Sequence, residues 1–405
     1  MKFIPGGVCA AKGFTASGIH AGVKTKNTDK KDVALIFADR ECSAAAVYTK
    51  NLVKAAPLLL TRRHLQNGRA RALIANSGNA NVRTPLADTN AERMCRAAAG
   101  ALGIAETDVI VASTGVIGQN LRVEVIEDAA PKLAAALSED GSPDAAAAIM
   151  TTDTVPKDCA VEFTVGGVTA RLGGISKGSG MIHPNMGTML CFITTDCAIS
   201  PEMIKKALRE ATRVSFNRIS VDGDTSTNDM CCVLASGAAG NAEITGDGGD
   251  YGAFTRALTA VCVDLAKKMA SDGEGAKHMI TCTVSGAASE EKAEVLAKSV
   301  ISSTLFKAAI FGADANWGRA LCAMGYSGAD FNLNTVDIAF RSPAGEIPVC
   351  RDGLELEFDE TLAKKILTER DVEVLIDIRE GEERCTCWGC DITYDYIKIN
   401  GDYRT

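Results

Sequence analysis

Apolar, strand-like runs alternate with amphipathic, helix-like segments from one end of this 405-residue chain to the other. The strand-like runs are followed by Gly- or Ser-containing turns, or alternate between apolar and polar residues. They lie at residues 33–39, 70–78, 109–115, 335–340, 372–378 and 393–400. A chain that interleaves these patterns predicts sheets flanked by helices, an α/β fold of the α+β layered kind. Its length predicts two domains or one large layered domain.

Apolar residues at helical spacing predict the intervening helices. The main ones cover residues 89–103, a segment from 201, 254–270 and 290–309. Thr89 and Glu92 stand at the spacing of a capping box, and Ser200-Pro201 is a typical helix start. These signals predict where the first two of these helices begin.

The net charge of the chain limits the classes of partner that it can be expected to bind. It has 43 Lys and Arg against 51 Asp and Glu, a formal net charge of −8, and no basic stripe of the kind that nucleic-acid binding requires. No apolar run approaches the ~20 residues of a membrane span, and the N-terminus lacks the apolar stretch of a signal peptide. We therefore expect a cytoplasmic protein that binds neither nucleic acid nor membrane.

The fifteen cysteines need an explanation other than disulfides, because a reducing cytoplasm disfavours such bonds. Most have apolar neighbours, where Cys behaves as a small hydrophobic residue. The motif CTCWGC brings Cys385, Cys387 and Cys390 close together in sequence. A structural zinc site usually takes four ligands in two separated pairs, and the sequence has no second pair. We expect packed thiols and no metal.

The four histidines, His20, His64, His183 and His278, limit the chemistry available. None stands at the spacing of a zinc protease motif, and the sequence has no GxSxG, P-loop or GxGxxG motif. We therefore expect no metal, redox or nucleotide cofactor, so that catalysis would depend on side chains, backbone and hydroxyl groups.

The segment SKGSGMIHPNMGTMLC, residues 176–191, leads to Gly187 and Thr188 and then into the strand-like run MLCFITT. A threonine hydroxyl is a poor nucleophile without a base, and one such base is the residue's own α-amino group, with a free pKa of ~7.7–8.0. Cleavage before Thr188 would create that amine, and Gly187 lets the bond distort at little steric cost. An ordinary turn entering a strand is the alternative, and these residues alone leave it open.

The longer stretch KGSGMIHPNMGTMLCFITTD resembles the signature of the ornithine acetyltransferase family, enzymes of arginine biosynthesis that cleave themselves before such a threonine. Other blocks occur in family order: ANSGNAN, ASTGVIG, TTDTVPK, SVDGDTSTND, SDGEGAK, FGADANWGR and the final YDYIKINGDYRT. The similarity extends from about Pro5 to Thr405. Gly187 departs from the family, which more often has Ala there, and is still expected to allow cleavage.

The resemblance implies roles for individual residues. Thr188 would be the nucleophile, and Thr114 with Gly115 would form the oxyanion hole. Lys177 would bind substrate, and its charge suits a carboxylate. Glu274 would bind the side-chain ammonium of ornithine. Taken without the family, Lys177 and Glu274 would be interpreted as solvated loop residues.

The resemblance also implies substrate contacts near the C-terminus, by Asn400 and by Thr405. A further contact is expected from one of two adjacent threonines in TTDT, Thr151 or Thr152. Spacing does not separate the two, and Thr151 is our choice.

The family implies a reaction and an assembly as well. The acetyl group of N2-acetylornithine would pass to Thr188 and then to glutamate by a ping-pong mechanism without a cofactor, and some family members also accept acetyl-CoA as donor. The implied fold is an αββα sandwich of the self-cleaving type. In it the alpha chain, 1–187, and the beta chain, 188–405, stay interlocked and pair into an α2β2 heterotetramer.

Two other functions compete with this interpretation. A hydrolase of the same architecture, an aminopeptidase or amidase, would share the N-terminal threonine but release the acyl group to water. A binding or scaffold protein would have no need for an intact KGSGM…GT block or an intact DGEG. The whole-chain similarity favours the acetyltransferase over both.

Overall fold

The computed structural model of this chain describes residues 1–25, 29–183 and 189–402. Three residues of the predicted site, Gly187, Thr188 and Thr405, therefore lie outside the described residues.

The chain divides into two compact units. The first comprises the described residues of 1–178, 184–217 and 225–269, and the second comprises those of 179–183, 218–224 and 270–405. The alpha and beta chains predicted from the sequence are the products of the expected cleavage. They differ from the two units, because each of them contributes residues to both units.

The described residues form sixteen strands. They are β1 (Lys2–Ile4), β2 (Phe14–Ile19), β3 (Val33–Tyr48), β4 (Arg69–Asn79), β5 (Val109–Val116), β6 (Lys157–Val165), β7 (Val168–Lys177), β8 (Leu190–Thr195), β9 (Ile219–Ser220), β10 (Met230–Ala235), β11 (Met279–Ala287), β12 (Asp337–Ser342), β13 (Gly345–Arg351), β14 (Leu354–Glu355), β15 (Asp371–Asp377) and β16 (Glu383–Cys390).

The same residues form eleven α-helices. They are α1 (Ala56–His64), α2 (Ala87–Leu102), α3 (Val123–Ala135), α4 (Ser142–Ile149), α5 (Pro201–Arg213), α6 (Gly249–Ser271), α7 (Glu290–Ser302), α8 (Thr304–Phe311), α9 (Trp317–Gly325), α10 (Glu360–Leu367) and α11 (Tyr394–Gly401). Helices and strands interleave along the chain, which confirms the predicted α/β class. None of the helices in the described residues is both long and apolar enough to cross a bilayer.

The first unit is built on a nine-stranded sheet of order β1-β6-β7-β8-β10-β3-β4-β5, with β2 paired to β3. Two neighbouring pairs, β4 with β5 and β8 with β10, are parallel. All six residues of β8 and all six of β10 are buried. Burial of both faces explains why the run after residue 188 is continuously apolar and does not alternate.

The second unit is built on a seven-stranded sheet of order β14-β13-β12-β15-β11-β16-β9. Its core includes Leu296 and Val300 of α7, Val284 of β11 and Phe340 of β12. The strands predicted at 335–340 and 372–378 correspond to β12 and β15 and are confirmed, with small shifts at their ends.

Helix α5 begins where the sequence predicts. The Ser200 hydroxyl accepts a hydrogen bond from the Met203 N–H at 3.4 Å, and Pro201 occupies the first turn, where no N–H is required. Ile204 and Leu208 are fully buried on one face. Burial of each such side chain stabilises the unit by about 1.5–3 kcal/mol.

The capping box predicted at Thr89 is wrong. Helix α2 begins two residues earlier, at Ala87, and no side chain caps it. The Asn90 N–H donates to the Leu86 carbonyl at 2.8 Å, so Thr89 already lies inside the first turn.

Two further element predictions need correction. The helix expected at 290–309 is interrupted at Ser303, whose backbone is extended and whose hydroxyl accepts from the Phe306 N–H at 3.3 Å, so that a new helix begins there. The strand expected at 393–400 is the helix α11, capped by the Thr393 hydroxyl. Tyr394 and Ile397 are exposed, so the alternation that suggested a strand reflects a solvated helix surface.

All fifteen cysteines carry free thiols. Cys385, Cys387 and Cys390 are buried in β16, and Cys387 lies opposite Cys282 of β11. Within the described ranges, no group of three or more His, Cys, Asp or Glu side chains converges as a metal site would require.

Candidate functional site

The turn at the end of β5 carries the predicted oxyanion pair. Thr114 and Gly115 pair with Ser77 and Gly78 at the end of the parallel strand β4. Gly115 has a φ of 131°, and a Cβ atom at this position would lie 2.3 Å from the Gly78 carbonyl carbon. Only glycine fits so close to the neighbouring backbone in this conformation, so the two strand ends fix the turn.

Polar side chains hold this turn in place. The Ser113 hydroxyl donates to the Asn76 side-chain oxygen at 2.6 Å, and the Asn76 amide donates to the Asn79 carbonyl at 2.9 Å. The Asn79 amide in turn donates to the Gln119 carbonyl at 3.1 Å. The block ANSGNAN therefore supplies a chain of hydrogen bonds that stabilises the backbone around Thr114.

Lys177 lies beside this turn. It ends β7, its residue is 8% exposed, and its Nζ donates to the Thr114 hydroxyl at 3.3 Å. Across the sheet it pairs with Leu190, the first residue of β8. The structure thus brings together two of the residues that the sequence predicts for the site, Lys177 and Thr114.

Asp153, which the sequence prediction missed, is a buried carboxylate of this region. Its Oδ1 accepts from the Lys157 Nζ at 2.7 Å and from the Gly178 N–H at 2.7 Å, and its Oδ2 accepts from the Thr151 N–H at 3.0 Å. Burial alone would raise its pKa, but the charges of Lys177 and Lys157 outweigh that effect and lower the pKa to about 2.

Asp153 is therefore ionised near neutral pH and acts as a counter-charge for Lys177. Thr151, our choice among the adjacent threonines, is joined to it through its main-chain N–H. The block TTDTVPK contains Asp153, so a signal was present in the sequence, although an isolated Asp in a loop gave no reason to select it.

A half-buried amine, that of Lys24, lies in the same unit. The Nζ of Lys24 donates to the carbonyls of Lys31 and Met150, at 2.9 and 2.8 Å. Burial lowers its pKa to about 8, and the charges of Lys30 and Lys177 contribute in the same direction. Nothing in the sequence distinguished this lysine from the solvated ones.

In the second unit, two more predicted contacts lie together. Glu274 follows α6, is 6% exposed, and its Oε2 accepts from the Asn400 amide at 2.7 Å. The Glu274 N–H donates to the Ser179 carbonyl at 3.0 Å. The helix α11, which replaces the predicted strand, thus carries Asn400 to Glu274.

Two glycines set the position of Glu274. A Cβ atom at Gly180 would lie 2.4 Å from the Glu274 carboxyl group. Gly275 has a φ of 70°, and a Cβ atom there would lie 2.7 Å from the Asp395 Cβ atom. The carboxyl group and α11 can approach this closely only because both positions lack a side chain.

Asp222 and Tyr396 extend the acidic surroundings of this unit. The Asp222 carboxylate accepts from the N–H groups of Met181 and Ile182, at 2.6 and 2.8 Å, and from the Tyr396 hydroxyl at 3.4 Å. Burial raises the pKa of Tyr396, and the charges of Asp222 and Glu274 raise it further. The Tyr396 hydroxyl therefore stays protonated near neutral pH. Sequence inspection did not single out either residue.

Gly187, Thr188 and Thr405 are not among the described residues, so their predicted roles stay predictions. The nearest described residue after Thr188 is Met189, whose carbonyl accepts from the Met230 N–H at 2.9 Å.

Comparison with known proteins gives consistent matches. The model of the ArgJ family matches residues 15–405. A curated protein of Symbiobacterium thermophilum, named arginine biosynthesis bifunctional protein ArgJ, is 51% identical over 406 residues, with 100% of both chains covered. A glutamate N-acetyltransferase of Methanocaldococcus jannaschii is 44% identical over 414 residues, again with 100% of both covered. A crystal structure of the arginine biosynthesis bifunctional protein of Bacillus halodurans is 46% identical, with a TM-score of 0.51, and covers 53% of this chain and 100% of its own.

Proposed function

Since this chain belongs to the ArgJ family and is an acetyltransferase of arginine biosynthesis, we propose that it transfers the acetyl group of N2-acetylornithine to glutamate through an acetyl ester on Thr188. The observation that carries the proposal is the hydrogen bond between Lys177 and Thr114. It supports the proposal because the ammonium group that would bind a substrate carboxylate lies beside the turn that would stabilise the developing oxyanion.

The nucleophile is made by self-cleavage. The Thr188 hydroxyl oxygen attacks the Gly187 carbonyl carbon, the peptide C–N bond breaks, and an ester links the two residues while the amine of Thr188 is freed. Water then hydrolyses the ester, which leaves a carboxylate on Gly187 and a free hydroxyl on Thr188. The solved chain of the Bacillus halodurans relative covers 53% of this chain over its full length. A cleavage product that spans residues 188–405 would have about the same length.

In the first half-reaction, the amine of Thr188 accepts the hydroxyl proton as the oxygen attacks the acetyl carbonyl carbon. Negative charge then develops on the acetyl oxygen, and the Thr114–Gly115 turn supplies the donors that stabilise it. The amide bond of the substrate breaks, the amine returns its proton to the leaving nitrogen, and ornithine departs.

Substrate recognition divides between the ends of the ornithine molecule. The Lys177 ammonium suits the α-carboxylate, and the Asp153 carboxylate, on which the Lys177 charge acts, is its counter-charge. Glu274 suits the side-chain ammonium, and Asn400 fixes its carboxyl group. In the second half-reaction the amine of glutamate attacks the acetyl ester and leaves as N-acetylglutamate, which regenerates Thr188.

We also propose that the two cleaved chains stay together and pair into an α2β2 heterotetramer. Relatives of this chain are named bifunctional, and the second activity we propose is acetylation of glutamate from acetyl-CoA on the same threonine. In both activities the chain's own groups suffice, and no metal or redox cofactor takes part.

Product analysis tests the main proposal. With N2-acetylornithine and glutamate together, we expect ornithine and N-acetylglutamate in equal amounts. With glutamate omitted, ornithine should appear only up to one equivalent per site. Continuous release of acetate, without N-acetylglutamate, would identify a hydrolase and contradict the proposal.

A further inference from the structure

A buried polar loop links two parts of the first unit that the proposed reaction needs. Residues 225–229, of sequence TSTND and here called the 225–229 loop, lead into β10. Asn228 and Asp229 are 5% and 2% exposed, although loop residues usually face solvent. Buried polar side chains cost free energy unless they are hydrogen bonded, so their partners indicate what the loop does.

Asn228 holds the strand ends that flank the predicted oxyanion turn. Its amide nitrogen donates to the Ala80 carbonyl at 2.6 Å and to the Ser113 carbonyl at 2.8 Å. Its side-chain oxygen accepts from the Thr227 hydroxyl at 2.6 Å. Ser113 directly precedes Thr114 in the chain, so one amide group fixes the backbone on both the β4 and the β5 side of the turn.

Asp229 lies beside the main chain that follows the proposed nucleophile. The next residue, Met230, pairs with Leu190 and donates its N–H to the Met189 carbonyl at 2.9 Å, so Asp229 lies beside Met189, the residue that follows Thr188. The Met189 main chain and the hydroxyls of Ser226 and Thr49 lower the pKa of the Asp229 carboxyl group. Its Oδ2 atom makes no hydrogen bond with any described residue. The charge of Lys177 also acts on this carboxyl group.

We propose that Asn228 and Asp229 are positioning residues for acetyl transfer: Asn228 orients the Thr114–Gly115 turn, and Asp229, acting through the Met189 main chain, orients the nucleophile. The proposal rests on the proposed function, because it assumes Thr188 as the nucleophile. Two adjacent residues of one loop then position the oxyanion turn and the main chain that follows the nucleophile.

The protonation of Asp229 fits this role. Burial raises the pKa of its carboxyl group well above the ordinary value, and the hydrogen bonds and the Lys177 charge only partly offset that effect. Burial disfavours the charged form of this group, and Asn is an uncharged side chain of the same shape. A positioning role therefore predicts that Asn can replace Asp229, whereas a role as a charged group predicts that it cannot.

Two isosteric substitutions with opposite expected outcomes test the proposal. Asp229→Asn keeps the shape and an acceptor oxygen, so kcat should stay within about threefold of wild type and the pH profile should be unchanged. Asn228→Asp removes the N–H groups that bind two carbonyls, so kcat should fall about 100-fold with little change in KM, because a displacement near 1 Å has that cost. Asp229→Ala should lower kcat similarly.

Asn51→Ala is the matched control. The Asn51 amide donates to the Thr225 carbonyl at 2.8 Å, so it anchors the same loop without touching the turn or Met189. This variant should lose some thermal stability but keep kcat. Self-cleavage, thermal unfolding, kcat and KM are measured on the full chain for each variant.

The proposal is overturned if Asp229→Asn cleaves itself but has lost transfer, or if Asn228→Asp keeps wild-type kcat. It is also overturned if kcat falls in Asn51→Ala as far as in Asn228→Asp, which would show a merely structural loop. If Asn228→Asp does not fold, the self-cleavage and transfer measured for Asp229→Asn decide the outcome. Wild-type protein without self-cleavage and transfer would instead refute the proposed function itself.

Discussion

The Nζ of Lys177 donates a hydrogen bond to the Thr114 hydroxyl, and both residues are largely buried. They belong to strands that are not neighbours in the sheet, since β7 pairs with β6 and β8 while β5 pairs with β4. The contact therefore depends on the fold of the whole first unit. It joins a predicted substrate-binding charge to a predicted oxyanion turn.

Removal of that charge should weaken substrate binding. We expect Lys177→Met to raise the KM for N2-acetylornithine about 10- to 100-fold, because a hydrogen bond to a charged group contributes about 1.5–3 kcal/mol. Lys132→Met, which removes an exposed lysine of α3, should leave KM unchanged. Steady-state kinetics on both variants make the comparison, and an unchanged KM in Lys177→Met would exclude carboxylate binding by this residue.

The turn itself should tolerate no side chain. Gly115→Ala would place a Cβ atom 2.3 Å from the Gly78 carbonyl carbon, so the turn must shift, and loss of one oxyanion donor typically lowers kcat about 100- to 1,000-fold. Gly118→Ala is the control, because Gly118 also has a positive φ, 77°, but no atom within 4 Å of the added Cβ. It should cost about 1–2 kcal/mol of unfolding free energy and leave kcat intact. Similar kcat losses in both variants would argue against an oxyanion role for the turn.

The Glu274 carboxylate of the second unit should contribute to substrate binding and should have little effect on self-cleavage. Glu274→Gln keeps the volume that fits against Gly180 and removes the charge. We expect a KM for N2-acetylornithine at least about tenfold higher, with cleavage between residues 187 and 188 still complete on a denaturing gel. Glu291→Gln, an exposed substitution in α7, should match wild type. Loss of cleavage together with transfer would indicate a structural role for Glu274.

The Asp153 carboxylate should contribute both to the stability of the fold and to acetyl transfer. Asp153→Asn leaves Lys157, which is buried, without its counter-charge, so the free energy of unfolding should fall by about 3–5 kcal/mol. The double variant Asp153→Asn with Lys157→Met removes both charges and should recover most of that stability. Transfer should not recover, because Lys177 has still lost the carboxylate beside it. Recovery of wild-type transfer in the double variant would contradict the role given to Asp153.

The same carboxyl group predicts a dependence of stability on pH. Its pKa is lowered from an ordinary 3.8 to about 2 in the folded chain. A lowered pKa contributes stability that is fully present above the unfolded value and is lost as the pH falls through the folded value. Denaturant unfolding of wild type should therefore show stability falling between about pH 4 and pH 2, with a shallower fall in the double variant. Equal slopes would contradict the lowered pKa.

Local sequence signals were sufficient where one short segment determines the structure. Ser200-Pro201 determines the start of α5, and the continuous apolar run after residue 188 is the buried strand β8. The same kind of signal failed for 393–400, because exposed residues of α11 alternate by chance with polar ones. Propensity cannot separate a solvated helix from an edge strand when burial is unknown.

The site was predictable only for residues to which the family resemblance assigns a direct chemical role. Thr114, Lys177, Glu274 and Asn400 were expected to serve one site, and the structure shows the contacts Lys177–Thr114 and Asn400–Glu274. Asp153, by contrast, acquires its role from burial and from lysines that are 4 and 24 positions away in sequence. Burial and the approach of Lys177 arise only in the folded chain, so the block TTDTVPK by itself gave no reason to select Asp153.

Intact mass measurement of the enzyme under denaturing conditions tests the central claim most directly. Purified, active protein should give two chains, one that ends at Gly187 and one that begins at Thr188. After incubation with N2-acetylornithine without glutamate, the second chain alone should gain the mass of one acetyl group, which glutamate then removes. Active enzyme with residues 187 and 188 still joined, or an acetyl group on a residue other than Thr188, would contradict the mechanism.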